Sequence, residues 1–171
     1  MPVSDVEFAL ADAAATDALG AALAHTFPGA AAGAVAVHLH GDLGAGKTSC
    51  VRSLLRALGV RSTVRSPTYT LLETYATSGL TCIHVDLYRV GSQLEVEDLG
   101  LRDLWGRDHL FLIEWPEQGA GAVPAADLVL SLAYAGEGRR ARVHAASPRG
   151  AVWAQDLVHD ARILPYLSNL T

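Results

Sequence analysis

The spacing of hydrophobic residues predicts a helix, a strand and a second helix in the first third of the chain. These elements are a helix over 13–25, a buried strand over 34–40 with the sequence AVAVHLH, and a helix over 47–58. Asp12 is placed to cap the first helix, in which Leu19 and Leu23 lie one turn apart on one face. In the second helix, apolar residues recur at helical spacing from Val51, and Gly59 follows its end.

The rest of the chain has the pattern of short strands in pairs. Strands are predicted over 70–76, 80–86, 109–114, 127–133 and 139–147, with mixed helix and loop over 91–106 and an amphipathic segment over 152–164. The turns 77–79 and 136–138 are short, so each joins antiparallel neighbours. The sum is one α/β domain over 1–171 with three layers, whose mixed central sheet has a parallel core and antiparallel hairpins. Residues 150–171 are expected to form a helical tail.

The composition is that of a folded globular domain. Half of the 171 residues are hydrophobic and 18% are charged, which argues against disorder. The net charge of −5 argues against a stand-alone nucleic-acid-binding protein, which usually carries a basic face. Cys50 and Cys82 have no metal-ligand spacing, and we expect both to pack as small apolar residues in a reducing compartment.

The pattern also gives an expectation for where the protein acts. Residues 1–25 contain acidic residues and no lysine or arginine, which is unlike a signal peptide. The chain has no run of apolar residues as long as a membrane-spanning helix, which needs roughly 18 or more. We therefore expect a cytoplasmic protein that makes no membrane contact.

The segment GDLGAGKT over 41–48 has the spacing GxxxxGK[ST] of a phosphate-binding P-loop. It follows a predicted buried strand and opens a predicted amphipathic helix, as this chemistry requires. The glycines let backbone N–H groups surround phosphates, and the helix N-terminus adds partial positive charge. The predicted nucleotide-binding residues here are Asp42, Leu43, Gly44, Ala45, Gly46, Lys47 and Thr48. Lys47 would reach the β- and γ-phosphates, and the Thr48 hydroxyl would bind Mg²⁺.

Lys47 is the only lysine in a chain that otherwise uses arginine for positive charge. A compact ammonium suits phosphates at this position better than a planar guanidinium. The absence of another lysine also rules out the Asn-Lys-x-Asp segment with which GTP-specific P-loop proteins read guanine. The sequence therefore favours ATP.

Two carboxylates end predicted core strands: Asp86 after TCIHV and Glu114 after HLFLI. Ligands of open α/β sheets bind beyond the carboxyl ends of the strands, so both would lie near the P-loop if their strands run parallel to 34–40. We assign Glu114 to the Mg²⁺ site together with Thr48, directly or through water. Asp86 is assigned to orienting water or the metal shell, so the predicted catalytic residues are Lys47, Asp86 and Glu114.

Ser66-Pro67-Thr68-Tyr69 follows the P-loop helix, where related nucleotide hydrolases place a switch segment. The Thr68 hydroxyl would then reach Mg²⁺ or the attacking water. An ordinary Ser-Pro turn explains the same four residues equally well, and the residues alone leave both interpretations open.

These segments together resemble the TsaE family, the bacterial ATPase of tRNA threonylcarbamoyladenosine biosynthesis. The matching segments are HGDLGAGKTS (40–49), RSPTYTLLETY (65–75), HVDLYRV (84–90), LGLRD (99–103) and LIEWPEQG (112–119), with ATDALGAALA (15–24) and GEGRRARV (136–143) in support. The resemblance covers nearly the whole chain in order.

The resemblance implies a P-loop fold, ATP hydrolysis with Mg²⁺, and assembly with TsaD and TsaB, which modify adenosine 37 of tRNA. Contact with tRNA would then be indirect, through the complex. By position, Thr48 and Glu114 match the metal-binding residues of the family and Asp86 an acid needed for activity. Trp115 matches an aromatic residue beside the site, and Thr16 lies where the N-terminal region approaches the nucleotide.

No arginine in the sequence is placed as an arginine finger. P-loop enzymes without one hydrolyse slowly, at roughly 10⁻⁴ to 10⁻² per second, so a slow ATPase stimulated by its partners is expected. Two alternatives keep the P-loop: a small-molecule kinase, and a nucleotide-dependent interaction switch without useful catalysis. They differ from the ATPase in what happens to the γ-phosphate.

Two further groups of residues have two interpretations each. His38 and His40 alternate on one strand, and two ligands are too few for a metal site, so histidines that lie in the core or are hydrogen-bonded are favoured. Four arginines between the P-loop helix and the Ser-Pro segment suit a solvated surface or a surface that meets partners: Arg52, Arg56, Arg61 and Arg65.

Overall fold

The computed structural model describes residues 5–170 and contains one eight-stranded sheet with the strand order β3-β4-β5-β2-β6-β7-β1-β8. The strands are β1 (Asp5–Leu10), β2 (Val35–His40), β3 (Leu72–Thr77), β4 (Leu80–Asp86), β5 (His109–Glu114), β6 (Leu128–Ala135), β7 (Gly138–Ala145) and β8 (Leu167–Leu170). The helices are α1 (Ala13–His25), α2 (Lys47–Ala57), α3 (Gln93–Asp98) and α4 (Pro148–Leu157). Two 3₁₀ turns lie at Pro116–Gly119 and Leu164–Tyr166.

The centre of the sheet is parallel and its two sides are antiparallel. Strands β4, β5, β2 and β6 pair in parallel, while β3 lies antiparallel on β4, and β7, β1 and β8 continue the other side in antiparallel pairs. This confirms the predicted mixed sheet with a parallel core and antiparallel hairpins. Because the central strands run the same way, their carboxyl ends meet at one edge, and Asp86 stands opposite Glu114 in register.

Side chains alternate between two buried faces of the sheet, which gives the predicted three layers. On one face, Val37, Leu39 and Leu112 pack in a large core with residues of α1, α2 and α4. On the other face, Ala36 and Phe111 belong to a smaller core that is covered by α3 and its neighbouring loops. Burial on both faces explains why the central strands are continuous hydrophobic runs and do not alternate with polar residues.

The predicted start of the first helix is confirmed. Asp12 lies at the N-cap of α1, and its carboxylate accepts a hydrogen bond from the Ala15 amide at 2.9 Å. The same device begins α4, where the Ser147 hydroxyl accepts from the Gly150 amide and Pro148 occupies the first helical position. The sequence analysis placed the start of the helical tail at 150 and that of the amphipathic segment at 152, because it did not recognise this cap.

The prediction of a helical tail over 150–171 was wrong beyond α4. The helix ends at Leu157, and the chain returns through the second 3₁₀ turn into β8, which pairs with β1. Pro165 lies within that turn, and a proline in a helix interior would remove a backbone hydrogen bond. Val152 in α4 and Leu164 in the 3₁₀ turn are both exposed, so the predicted segment 152–164 does not form one continuous helix with a single buried apolar face.

Strand β1 and the edge strand β8 were not predicted. Strand β1 alternates as a half-buried strand does, with Val6, Phe8 and Leu10 inside, but it is short and begins among acidic residues. Its position next to β7 comes from a pairing that no local pattern reveals. Among residues 5–170, no helix combines the length and apolar character needed to cross a bilayer.

Candidate functional site

The P-loop (residues 41–48) connects the end of β2 to the start of α2, as the sequence predicts. Gly41 and Gly46 adopt φ values of 144° and 109°, which side chains other than glycine rarely adopt. A Cβ atom on Gly41 would also collide with the carbonyl oxygen of Leu132 on the adjacent strand β6. The glycines therefore allow a tight loop that lies against the sheet and leads directly into a helix N-terminus.

Lys47 is buried in the centre of this loop. Its Nζ donates hydrogen bonds to the carbonyl oxygens of Gly41 and Asp42, the latter at 3.0 Å, and lies 4.5 Å from the centre of the Trp115 ring. Burial lowers the pKa of the Lys47 ammonium, and the nearby carboxylates of Glu114 and Asp86 oppose that shift. The lysine is thus folded back onto the loop, where an incoming phosphate can replace the carbonyl oxygens as its partner.

Thr48 and Glu114 meet across the cleft. The Thr48 hydroxyl lies 2.9 Å from Oε1 and 3.2 Å from Oε2 of Glu114, although the two residues are 66 positions apart in sequence. The Nε2 atom of His84 also lies 2.8 Å from Oε1 of Glu114. The two residues predicted to bind Mg²⁺ are therefore adjacent, with a hydroxyl and a carboxylate at one point of the site.

Asp86 lies beside Glu114 and organises the segment after the P-loop helix. Its Oδ2 accepts from the hydroxyl of Ser66 at 3.0 Å and from that of Thr68 at 3.4 Å, while Oδ1 accepts from the Tyr88 amide at 3.0 Å. These bonds hold the Ser-Pro segment against the carboxyl end of β4. The segment is therefore part of the site and not a separate surface turn.

These groups line a cleft of about 450 Å³. Its walls are formed by Leu43, Gly44, Gly46, Lys47, Thr48, Ser49, Ser66, Thr68, Asp86, Tyr88, Arg89, Glu114 and Trp115. The other predicted residues lie at its border. Asp42 supplies a carbonyl oxygen to Lys47, and Ala45 is fully buried beneath the loop. Thr16 lines a second cleft of about 170 Å³ on the α1 side, and its Cγ2 lies 3.3 Å from where a Gly46 Cβ would be.

Trp115 adopts an unusual backbone conformation that places its ring over the lysine. Its φ of 56° lies in the left-handed region, which is uncommon for a bulky residue. The Trp115 amide donates to the Leu39 carbonyl oxygen at 3.2 Å, and its ring packs against Tyr88 at 5.1 Å between centroids. Strained backbone of this kind clusters at functional sites, because the surrounding structure must hold it in place.

The donor set suits a hard cation such as Mg²⁺. Thr48, Glu114 and Asp86 present only oxygen atoms to the cleft, and Mg²⁺ is usually bound by one or two carboxylates together with phosphates and water. Within the described residues there is no group of three or more His, Cys, Asp or Glu side chains able to hold a metal alone. A site that is completed by substrate phosphates fits both observations.

The sequence analysis missed several residues of the site. Tyr88 and Arg89 line the cleft because they follow Asp86 directly. Tyr134 and Arg139, from the β6–β7 hairpin, contact the carbonyl oxygens of Leu43 at 2.7 Å and Gly44 at 3.2 Å, and so brace the P-loop from outside. No signal in the sequence indicated the contacts of Tyr134 and Arg139 with the P-loop. His84 was also missed, although its position two residues before Asp86 places it on the same strand face.

His38 and His40 are half-buried and each has a polar partner, and the predicted burial of both cysteines is confirmed. Nε2 of His38 lies 2.7 Å from the Pro124 carbonyl oxygen, and burial lowers the pKa of this imidazole. Nδ1 of His40 lies 3.1 Å from the Glu117 carboxylate. Cys50 and Cys82 are buried, and burial raises the pKa of each thiol to about 12, as expected for cysteines that pack as apolar residues.

The arginines around the P-loop helix lie mostly in solvent. Arg56, Arg61 and Arg65 are exposed, and Arg52 is half-buried with its Nε 3.4 Å from the Val64 carbonyl oxygen. This agrees with the solvated-surface interpretation. It leaves a contact with partner molecules as a prediction.

Comparison with known proteins gives a consistent result. The family model "Threonylcarbamoyl adenosine biosynthesis protein TsaE" matches residues 10–142. A tRNA threonylcarbamoyladenosine biosynthesis protein TsaE from Haemophilus influenzae is 44% identical over 106 residues, which cover 62% of this chain and 67% of that protein. The protein of the same name from Synechocystis is 41% identical over 122 residues, which cover 69% of this chain and 74% of that protein. The one from Bacillus subtilis is 35% identical over 102 residues, covering 60% and 63%.

A solved structure shares the fold. The crystal structure of Bacillus subtilis YdiB superposes with a TM-score of 0.75 over 91% of this chain and 95% of that one. The sequence identity of the two chains is 24%, so this likeness concerns the architecture alone.

Proposed function

The chain belongs to the TsaE family, and from that premise we propose that it is a Mg²⁺-dependent ATPase that acts in threonylcarbamoyladenosine modification of tRNA. Relatives that share this family name are tRNA threonylcarbamoyladenosine biosynthesis proteins. The observation that carries the proposal is the pairing of a buried P-loop lysine with the Thr48–Glu114 contact across one cleft. A bound Mg–nucleotide requires a phosphate-binding loop and oxygen donors for the metal in the same cleft.

In this proposal the P-loop binds the triphosphate. Backbone amides of the loop and the N-terminus of α2 surround the phosphates, and Lys47 neutralises the β- and γ-phosphate oxygens. Phosphate oxygens would replace the Gly41 and Asp42 carbonyl oxygens as partners of Lys47, so that the ammonium faces negative charge instead of neutral acceptors. Thr16 and the rim of the second cleft contact the nucleotide from the α1 side.

Thr48 and Glu114 would hold Mg²⁺, either directly or through water. Bound there, the ion supplies neutralisation of the charge that develops on the transferring phosphate. Asp86 lies beside Glu114 and holds Ser66 and Thr68 in hydrogen-bond distance, so it can orient an attacking water through the same oxygens. Trp115 covers Lys47 and excludes bulk water from the ammonium.

ATP is the proposed nucleotide, and the rate is proposed to be slow until partners bind. The chain has a single lysine, so the guanine-reading Asn-Lys-x-Asp segment is absent from the sequence. Arg89 lines the cleft, but its guanidinium lies over the Tyr69 ring at 4.9 Å from the ring centre, and the proposal gives it no role as an arginine finger. Hydrolysis by the isolated protein is therefore expected at roughly 10⁻⁴ to 10⁻² per second. We place stimulation in a cytoplasmic complex with TsaD and TsaB, through which the protein would act on tRNA indirectly.

The test is ATP hydrolysis, measured as phosphate release, with and without purified TsaD–TsaB for the wild type and Lys47→Ala. We expect slow turnover alone, stimulation by the complex, and loss of both in the variant. Turnover of tens per second by the isolated protein would contradict the proposal of partner control. A calorimetric result without Mg²⁺-dependent affinity for adenine nucleotides would overturn the ATPase assignment itself.

The same material separates the alternatives. A kinase would transfer labelled γ-phosphate to a small acceptor, whereas the proposed ATPase releases it to water. An interaction switch would support tRNA modification when Glu114→Ala has removed hydrolysis. We expect neither result, since Glu114 lies at the point where hydrolysis and metal binding meet.

A further inference from the structure

A buried histidine stands directly behind the carboxylate of Glu114. His84 has no exposed surface, and its Nε2 lies 2.8 Å from Oε1 of Glu114. Its Nδ1 is the one buried side-chain nitrogen or oxygen within residues 5–170 that has no hydrogen-bond partner. The contact with Glu114 is therefore the hydrogen bond for which this ring is placed.

The pairing of β4 with β5 brings the ring to this position. Cys82, His84 and Asp86 alternate onto the sheet face that carries Glu114. His84 pairs in register with Leu112, so Glu114 is its diagonal neighbour one same-face position further along. Diagonal neighbours lie within reach of long side chains, and an imidazole is long enough to close this distance.

Stability alone does not account for a histidine here. A carboxylate only accepts hydrogen bonds, so Nε2 carries the ring hydrogen and donates a hydrogen bond to Glu114. The other nitrogen is left buried without a partner, and an unsatisfied buried polar atom costs about 1–3 kcal/mol. An apolar side chain of similar size would avoid that cost, and the hydrogen bond to Glu114 is what distinguishes the histidine from such a side chain.

We propose that His84 is a positioning residue that orients the Glu114 carboxylate for Mg²⁺, an inference that rests on the proposed function. Oε1 is held by both His84 and Thr48, whereas among the described residues only Thr48 contacts Oε2. Fixing Oε1 stops the carboxylate from rotating and leaves Oε2 for the cation. Partners of this kind typically change metal affinity 10- to 100-fold, roughly, when they are removed.

The test compares His84→Leu, which removes the donor, with His84→Gln, whose amide nitrogen can take the place of Nε2. The readout is ADP binding by calorimetry in EDTA and across a Mg²⁺ titration. We expect His84→Leu to bind ADP in EDTA as the wild type does, but to need about tenfold more Mg²⁺ for half-maximal tightening. His84→Gln should stay within about threefold of the wild type.

Cys82→Ala is the matched control, because it alters the same strand face at a fully buried position one pleat away from His84. It should lower the melting temperature without changing the Mg²⁺ requirement. A wild-type Mg²⁺ requirement in folded His84→Leu would overturn the inference, as would equal defects in the Leu and Gln variants. A wild type without any Mg²⁺ dependence would instead overturn the proposed function, so the two failures are distinct.

A double-variant cycle with Glu114→Gln provides a second measurement. If His84 acts through Glu114, adding His84→Leu to Glu114→Gln should change the Mg²⁺ requirement little further. Additive effects of the two substitutions would contradict the positioning role.

Discussion

The two walls of the cleft are built in opposite ways. The P-loop wall consists of the contiguous residues 41–48, whose conformation follows from glycines and from the helix that they precede. The opposite wall, here called the carboxylate wall, joins Ser66, Thr68, Asp86 and Glu114 from separate segments. In the proposed function the first wall would hold the phosphates, and the second wall, together with Thr48, would hold the cation and orient water.

This division predicts different defects from each side. Damage to the P-loop wall should weaken nucleotide binding whether or not Mg²⁺ is present. Damage to the carboxylate wall should leave binding in EDTA intact and reduce the Mg²⁺ response or turnover. The Thr48–Glu114 hydrogen bond joins the two walls directly, and the Lys47 ammonium over the Trp115 ring is a second contact, with the residue that follows Glu114. Loss of the Trp115 ring should affect both nucleotide binding and the Mg²⁺ response only slightly.

The largest effect is expected from Lys47→Met, which keeps the length of the side chain and removes its charge. Loss of a buried charge that pairs with phosphate should weaken ATP binding by about 2–5 kcal/mol, in EDTA and in Mg²⁺ alike. Calorimetry of ATP binding under both conditions checks this. Arg56→Met, at an exposed position of the same helix, is the control and should bind normally. Weakening in Mg²⁺ alone would show that the lysine acts through the metal and would break the division.

Glu114→Gln should come next, with turnover reduced on the order of 100-fold because the amide is a poor Mg²⁺ ligand. ADP affinity in EDTA should stay close to that of the wild type. Single-turnover hydrolysis together with the EDTA calorimetry tests both statements. Glu117→Gln removes a partly exposed acid from the next turn and should leave both quantities unchanged. A large loss of affinity in EDTA for Glu114→Gln would mean that the carboxylate wall also holds the nucleotide itself.

Asp86→Asn should lower turnover about tenfold while KM changes little, which is less than the roughly 10²- to 10⁴-fold contribution of a positioned acid–base group. The amide oxygen of the asparagine can still accept from the Tyr88 amide, and its NH₂ group can donate to the Ser66 hydroxyl in place of Oδ2, so the fold of the segment is preserved. Steady-state kinetics gives the comparison, and Ser66→Ala reports the contribution of one partner alone. A raised KM at unchanged turnover would move Asp86 from the chemistry to nucleotide binding.

The smallest effect is expected from Trp115→Phe, because a smaller ring retains part of the attraction for the ammonium. The cation–π interaction amounts to about 0.5–2 kcal/mol, so affinity should fall by no more than about tenfold. ATP binding should also change the tryptophan fluorescence of the wild type but not of this variant. Trp105→Phe, outside the cleft, should keep the fluorescence change. If Trp105→Phe abolishes the fluorescence change, the contact of Lys47 with Trp115 is not what responds to the nucleotide.

The sequence by itself determined the P-loop wall and the parts of the fold around it. The glycines, the lysine and the hydroxyl are adjacent in the chain, and the flanking strand and helix were predicted within two residues of their observed ends. The sequence also supports the proposal of ATP over GTP, because its single lysine lies in the P-loop. Such features are readable because backbone propensity and short-range spacing depend on neighbouring residues alone.

Only the tertiary structure decided how the carboxylate wall is assembled. The sequence indicated that Asp86 and Glu114 end strands, but their position opposite each other depends on the register of β4 against β5. The contacts of Glu114 with Thr48 and with His84 join residues far apart in sequence, as does the brace of Tyr134 on the P-loop. Strands β1 and β8 also depend on their neighbours in the sheet. Pairing between distant strands is selected by the packing of the whole core, and a local pattern contains no information about that choice.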